Sequence, residues 1–194
     1  MNTVKKRAKE KLFYKVIVRD RTGKVISQQE AEAHSFLVQY NELLSGMMDF
    51  ANRTIKDSGG TDRTVTTDLV SFSVAANIGE DARGIIVGTG NTAVAVGDYA
   101  LEIAIAEGTG AGQMSYQAQT YDTDVTVADP DCTFELKRII INNSGGTIVV
   151  AEIGIYCYLE GSYLGCIARD VLGASVSVPD GGSITVFYTW RITE

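Results

Sequence analysis

The stretch Asn142–Glu194 reads NNSGGTIVVAEIGIYCYLEGSYLGCIARDVLGASVSVPDGGSITVFYTWRITE, and its pattern decides the fold class. It breaks at NNSGGT, at LEGS and at PDGG, where the residues tolerate positive φ or preset a turn. Between the breaks lie three hydrophobic runs rich in β-branched and aromatic residues, which pack well on a pleated surface. In the last run, Ile184, Val186, Tyr188, Trp190 and Ile192 alternate with Ser183, Thr185, Thr189 and Arg191. That period of two is the mark of a strand with one buried face. The stretch carries almost no group suited to chemistry, so it points to packing and assembly.

Working outward, the sequence predicts further strands at 64–76, 84–88, 99–106, 113–121, 123–127 and 133–141, then at 147–158, 163–171 and 183–193 within the opening stretch. Turn signals recur between them at the spacing of sandwiches and barrels. Near the N-terminus, LFYKVIVRD and RTGKVISQQ form a hairpin around Thr22-Gly23. One segment has a different period. Phe36, Tyr40, Leu43, Leu44, Met47, Met48, Ala51 and Ile55 recur at helical spacing, Ser35 stands at the N-cap position, and SGGT follows. The pattern predicts an amphipathic helix over about 35–56 packed on the sheet. The expected architecture is a mainly β, jelly-roll-like β-sandwich forming one domain over 12–194. That helix sits near its N-terminus, behind a basic N-terminal arm over 1–11.

The chain has 194 residues, enough to bury a core without metals or disulfides. Twenty glycines against two prolines suit many tight turns and argue against a polyproline linker. No apolar run reaches the roughly 18–20 residues of a membrane helix, and no apolar stretch of signal-peptide length follows Met1–Lys11. The expectation is synthesis in a cytoplasm, with no membrane partner. Charge is unevenly spread: residues 1–24 hold nine of the seventeen basic residues and two of the twenty-four acids, so +7 stands against −14 on the rest. Lys5, Lys6, Arg7, Lys9 and Lys11 are the candidate interaction residues of the arm. Charge complementarity favours docking on the acidic body of a neighbouring copy over nonspecific contact with nucleic-acid phosphates. A solvated terminus is the plainer alternative.

Few residues offer chemistry. GIIVGTGNTA has a G-x-G-x-x-A spacing, but β-branched residues and another glycine follow it where a dinucleotide site needs a helix N-terminus. His34 has no nucleophile signature to serve, and adjacency to Ser35 does not make a relay. Cys132, Cys157 and Cys166 show no CxxC; Cys157 and Cys166 read as small core hydrophobes rather than a bridge. Glu102, Glu107 and Glu152 do not by spacing meet the carboxylate geometry of a glycosidase. The pairs Asp122/Asp124 and Asp129/Asp131 lack the regular Ca²⁺-loop spacing and read as solvated turns. Glu152 lies in a strongly apolar strand and needs a partner, for which Arg169 on the next strand is the candidate: a structural ion pair. No enzyme activity, metal or cofactor is expected.

Several segments together resemble small β-rich virion structural proteins of tailed bacteriophages and of archaeal head-tailed viruses. They are DRTGKV at Asp20–Val25, SFLVQYNELL at Ser35–Leu44, VGTGNTAVAVGDYAL at Val87–Leu101 and GTGAGQMSY at Gly108–Tyr116. NNSGGTIVVAEIGIY at Asn142–Tyr156, LGCIARDV at Leu164–Val171 and VPDGGSITVFY at Val178–Tyr188 complete the set. The EIGIY step is also similar to an element of tail-fibre and collar modules. The resemblance implies a virion component (tail, neck, head decoration or fibre base) that assembles as a symmetric homo-oligomer with other virion proteins. It implies location in the virion after synthesis in a host cytoplasm. The competing class is a ligand- or glycan-binding β-sandwich, with Tyr156, Tyr158 and Tyr163, or Tyr116 and Tyr121, as aromatic platforms. Interfaces are equally rich in tyrosine.

Overall fold

The computed structural model of the chain describes residues 9–33, 36–66, 71–122 and 124–194. Among them the chain is mainly β, with antiparallel sheets and one helix. The N-terminal hairpin joins β1 (Lys9–Arg19) to β2 (Val25–Ala33). Its turn holds because Gly23 takes φ +84° and the Asp20 carboxylate accepts the amide protons of Thr22 and Lys24. Helix α1 (Val38–Asp49) follows, then the short β3 (Arg53–Lys56), β4 (Asp62–Val65) and β5 (Gly84–Gly88). After a long connection come β6 (Ser115–Tyr116), β7 (Thr120–Tyr121) and β8 (Thr126–Ala128). The chain closes with four long strands, β9 (Asp131–Ile141), β10 (Ile148–Tyr158), β11 (Leu164–Val178) and β12 (Ser183–Thr193).

The larger sheet has the order β2-β1-β12-β9, and β6, β7 and β8 follow one another along the outer edge of β9. Its buried face alternates as the sequence does: Leu12, Tyr14, Val16 and Val18 lie beside Ile184, Val186, Tyr188 and Trp190. Ile192 shares their parity but is exposed, because the end of β12 runs past the core. A second sheet has the order β11-β10-β5. Nearly all of β10 is buried, which explains its unbroken apolar run. Ile153, Ile155 and Cys157 belong to the same hydrophobic core as the inner face of the larger sheet. The other face of β10 is covered by the segment 88–105, with the Leu101 side chain against Gly154. No helix among the described residues is long and apolar enough to cross a membrane.

The differences from the sequence reading have physical causes. The helix is shorter than 35–56: Leu37 occupies the N-cap without a side-chain bond, and Phe50 ends it in the left-handed region at φ 54°. Residues 53–56 are a strand. Ser35 and His34 lie outside the described residues. The strand expected at 64–76 is reduced to β4, with 67–70 outside the described residues. The one expected at 99–106 keeps only a bridge from Ala104 to Gly88, because carboxylates take its amide protons. β11 does not stop at Val171, where the expected strand 163–171 ends. It runs on to Val178, with a register shift that loops out residues between Val171 and Val176.

Candidate functional site

The densest polar constellation is built on β10, β11 and the 88–102 segment. Glu152 is 0% exposed, and its carboxylate accepts four hydrogen bonds. Oε1 takes the amides of Gly90 at 3.1 Å and Ile103 at 2.8 Å. Oε2 takes the Glu102 amide at 3.0 Å and the Arg169 Nε proton at 2.9 Å. The sequence-predicted partners are thus brought together, 17 residues apart on neighbouring strands. Arg169 spreads its remaining protons over Asp98 Oδ2 at 2.7 Å and the Thr92 carbonyl at 3.1 Å. Burial pulls the Arg169 pKa down, but the bonds to Glu152 and Asp98 outweigh it and hold the guanidinium more firmly protonated than usual.

Glu102 completes the arrangement from the rim. Its carboxylate accepts the Thr92 hydroxyl at 2.7 Å and the Asn91 and Thr92 amides at 2.9 and 2.8 Å. Those bonds, the hydroxyl first, hold its pKa below the usual carboxylate value. The loop Gly88–Thr92 therefore does resemble an anion cradle, but the anions it holds are this chain's own carboxylates. A Cβ at Gly90 would stand 2.5 Å from Glu152 Oε1, and one at Gly88 would stand 2.6 Å from it. The glycines of the G-x-G-x-x-A spacing exist to let Glu152 approach the backbone, not to admit a pyrophosphate. An open cleft of 330 Å³ lies over the cluster, lined by Thr92, Asp98, Tyr99, Glu102 and Arg169. The four donors fill the lone-pair positions of Glu152, so it has none left for a ligand.

A second buried cation was missed by the sequence reading. Arg138, on the inward phase of β9 between Leu136 and Ile140, is fully buried. Its donors reach the carbonyls of Gln117, Arg83, Ile85, Asn77 and Glu80, and its guanidinium sits 4.8 Å from the centre of the Tyr116 ring. It ties the irregular 77–85 and 117 segments to the sheet. The period-two pattern of KRIII already placed it inward; only its partners were not legible. Burial lowers its pKa from the free value. Tyr188, also fully buried, donates its hydroxyl proton to Asp170 Oδ2 at 2.9 Å.

The remaining expected residues are dispersed. Lys5, Lys6 and Arg7 lie outside the described residues, whereas Lys9 and Lys11 are in β1, paired with Thr193 and Arg191 of β12. Lys11 is already engaged by Glu32. The arm's last residues are thus part of the sheet, since β12 extends far enough to pair them. The tyrosine platforms do not form: Tyr116 and Tyr156 are buried, and their hydroxyls meet Ile105 O and the Leu101 amide. Tyr163 is exposed, with the Arg63 guanidinium 4.1 Å from the centre of its ring. Cys157 and Cys166 are buried free thiols, and burial pushes the Cys157 pKa up to about 12, which makes it inert. Asp122 accepts the Glu135 amide and Asp131 the Thr193 hydroxyl, and no metal-holding cluster exists among the described residues.

An aromatic groove does exist elsewhere. Tyr40, Phe72, Phe134 and Trp190 line a cleft of 330 Å³ with Glu10 at its side. Trp190 stacks on Phe134 at 5.0 Å, and Tyr40 meets Phe72 edge-on at 5.5 Å. Its lining comes from β1, α1, β9, β11, β12 and the 71–76 connection, so no sequence window displays it. No protein-family model, curated protein or solved structure matches the chain.

Proposed function

We propose that this protein is a non-enzymatic structural component that assembles by self-association, of the kind a virion of a tailed phage or head-tailed archaeal virus uses in its tail, neck or head decoration. In this reading the two larger sheets are the layers of a jelly-roll-like β-sandwich, held by the Glu152–Arg169 cluster and the Arg138 socket. One observation carries it. At the end of α1, Phe50 is 80% exposed in a left-handed backbone conformation, beside Met48 at 75%. The conformation costs a non-glycine residue about 1–2 kcal/mol, and at 80% exposure the ring buries little of itself in return. Contact with another copy is what such a residue is suited to, because apolar aromatic and methionine side chains anchor interfaces.

Sedimentation equilibrium of the full chain over a hundredfold concentration range tests this. Self-association is expected, weakened by Phe50→Gly combined with Met48→Ser, neither of which touches the core. A chain that stays monomeric throughout would end the reading. The role of the basic terminus is tested by removing residues 1–8 only, because Lys9–Lys11 belong to β1. Weakened incorporation into particles with an unchanged melting temperature is the expected result.

A second reading, a glycan- or ligand-binding module, draws support from the groove of Tyr40, Phe72, Phe134 and Trp190 with Glu10, since sugar rings stack on aromatic faces beside a polar group. Trp190 is the chain's single tryptophan, so a glycan panel read by its fluorescence tests this directly. Saturable shifts abolished by Phe134→Ala would favour it over assembly alone.

A further inference from the structure

A β-rich body must dispose of its strand edges, because each unpaired edge is a row of donors and acceptors open to another chain. Three of the four edges of the two main sheets are dealt with internally. Along β9, the outer edge is taken up by three fragments of two, two and three residues, too short and broken to template anything. Beyond β5, the Thr89 amide bonds to Ile103 O and the Ile105 amide to Val87 O, so the chain covers that edge itself. On β11, the Ser58 and Leu37 amides bond to Leu164 O and Ile167 O, and the register shift after Val171 interrupts the rest.

The fourth edge is β2. Among the described residues β1 is the only strand paired with it, and the Gln29 side-chain amide donates to Ala174 O at 2.8 Å. It is nine residues long, VISQQEAEA, with no proline, no lysine and no arginine to blunt it. Val25 and Ile26 at its start are exposed, and neither face of the strand is fully buried.

We infer that β2 is the self-association edge of this protein: a second copy adds its own β2 antiparallel, so that the larger sheets of two copies become one sheet across a twofold axis. This rests on the self-association reading and adds a strand-edge contact to the apolar one at Phe50 and Met48. The sequence of the strand selects the register. Centred on Gln29, all nine residues pair: Val25 faces Ala33, Ile26 faces Glu32, Ser27 faces Ala31 and Gln28 faces Glu30. No glutamate then faces a glutamate directly. Shifting the axis to Glu30 or Ala31 sets Glu30 against Glu30 or Glu32 of the other copy, and like charges directly opposite are destabilising. The contact is also self-limiting as a strand pairing. Because the other sheet edges of the described residues are covered or broken, an isologous β2–β2 contact does not continue through a further strand edge.

The test uses position and sign. Gln29 is opposite itself across the axis, at the 4.5–5.5 Å Cα spacing of antiparallel pairs, which a disulfide spans. In a Cys132→Ser background, Gln29→Cys is expected to oxidise to a covalent dimer, while Gln28→Cys, which faces Glu30, is not. At the exposed Gln28, Gln28→Lys is expected to tighten the dimer and Gln28→Glu to loosen it, each by about 2- to 30-fold in dissociation constant from two symmetric charge pairs. If the protein self-associates but neither charge change moves the constant and Gln29→Cys stays uncrosslinked, the β2 edge is wrong and the assembly reading stands. If the wild-type chain is monomeric at every concentration, both fall.

Discussion

Glu152→Ala removes the one carboxylate on which four donors converge, and its cost follows from the geometry. Breaking a buried ion pair by deleting one partner costs about 3–5 kcal/mol. The amides of Gly90, Glu102 and Ile103 also lose their acceptor, and each buried orphan costs about 1–3 kcal/mol unless water reaches it. The cleft over the cluster lets water offset part of this, so the expected loss is about 4–6 kcal/mol. That is a large share of the roughly 5–15 kcal/mol that holds a domain together. Glu152→Gln keeps the shape and the two amide bonds to Oε1, but sets an NH₂ group against the Glu102 amide and the Arg169 Nε. It is expected to lose about 2–3 kcal/mol. Arg169→Leu leaves Glu152 a buried carboxylate with three amide donors and no counter-charge, and is expected to cost about 3–5 kcal/mol. Urea titration followed by Trp190 fluorescence measures all three. A loss below about 1 kcal/mol for Glu152→Ala, or an order placing Arg169→Leu as the most damaging, would refute the view that the carboxylate is the organising centre.

Other outcomes follow from single residues. Gln39 on α1 is 1% exposed, and neither of its amide atoms has a hydrogen-bond partner among the described residues; Gln39→Met is expected to stabilise by about 1–2 kcal/mol, read as a rise in melting temperature, and a fall would show the amide to be satisfied. Arg138→Met strands five backbone carbonyls and is expected to cost on the order of 3–5 kcal/mol by urea midpoint, with Arg138→Lys recovering only a part. Acid stability is set by Asp57, whose pKa is lowered first by its bond to Arg63, and by Glu102, lowered first by the Thr92 hydroxyl. Depressed carboxyl pKa values add stability that is present above the unfolded values near 4 and lost as pH falls through the folded ones, so the urea midpoint should hold from pH 7 to about 5 and drop below 4. At the other end, burial raises the pKa of Tyr116, Tyr156, Tyr188 and Cys157. Their stabilisation is complete below the unfolded values near 9–10 and is lost as pH climbs beyond them, so alkaline melting should begin near pH 9, and a flat profile to pH 11 would contradict their burial.

The long strands were legible because burial on one face imposes a period of two: β1, β9 and β12 show it plainly, and Arg138 follows it even though it is charged. The helix was legible in type but not in extent. Residues 53–56 continue an apolar spacing, yet they pair with Asp62–Val65, and Phe50 turns the chain before them. Residues 99–106 look like a strand because they alternate. They are not one, because the carboxylate of a residue fifty positions away takes the amides that a neighbouring strand would have used.

By itself, then, the sequence determined what local periodicity and turn chemistry can encode: a mainly β chain, its closing strands, its first hairpin and the need of Glu152 for Arg169. The tertiary structure alone decided what depends on convergence from distant segments. It turned the GTG loop into a cradle for internal carboxylates, buried Tyr116 and Tyr156 of the expected tyrosine platforms and assembled an aromatic groove from six separate segments. It also left β2 as the one long open edge among the described residues. A strand's own sequence states which face it buries, but not which edge goes unpaired, since that depends on where every other segment of the chain has come to rest.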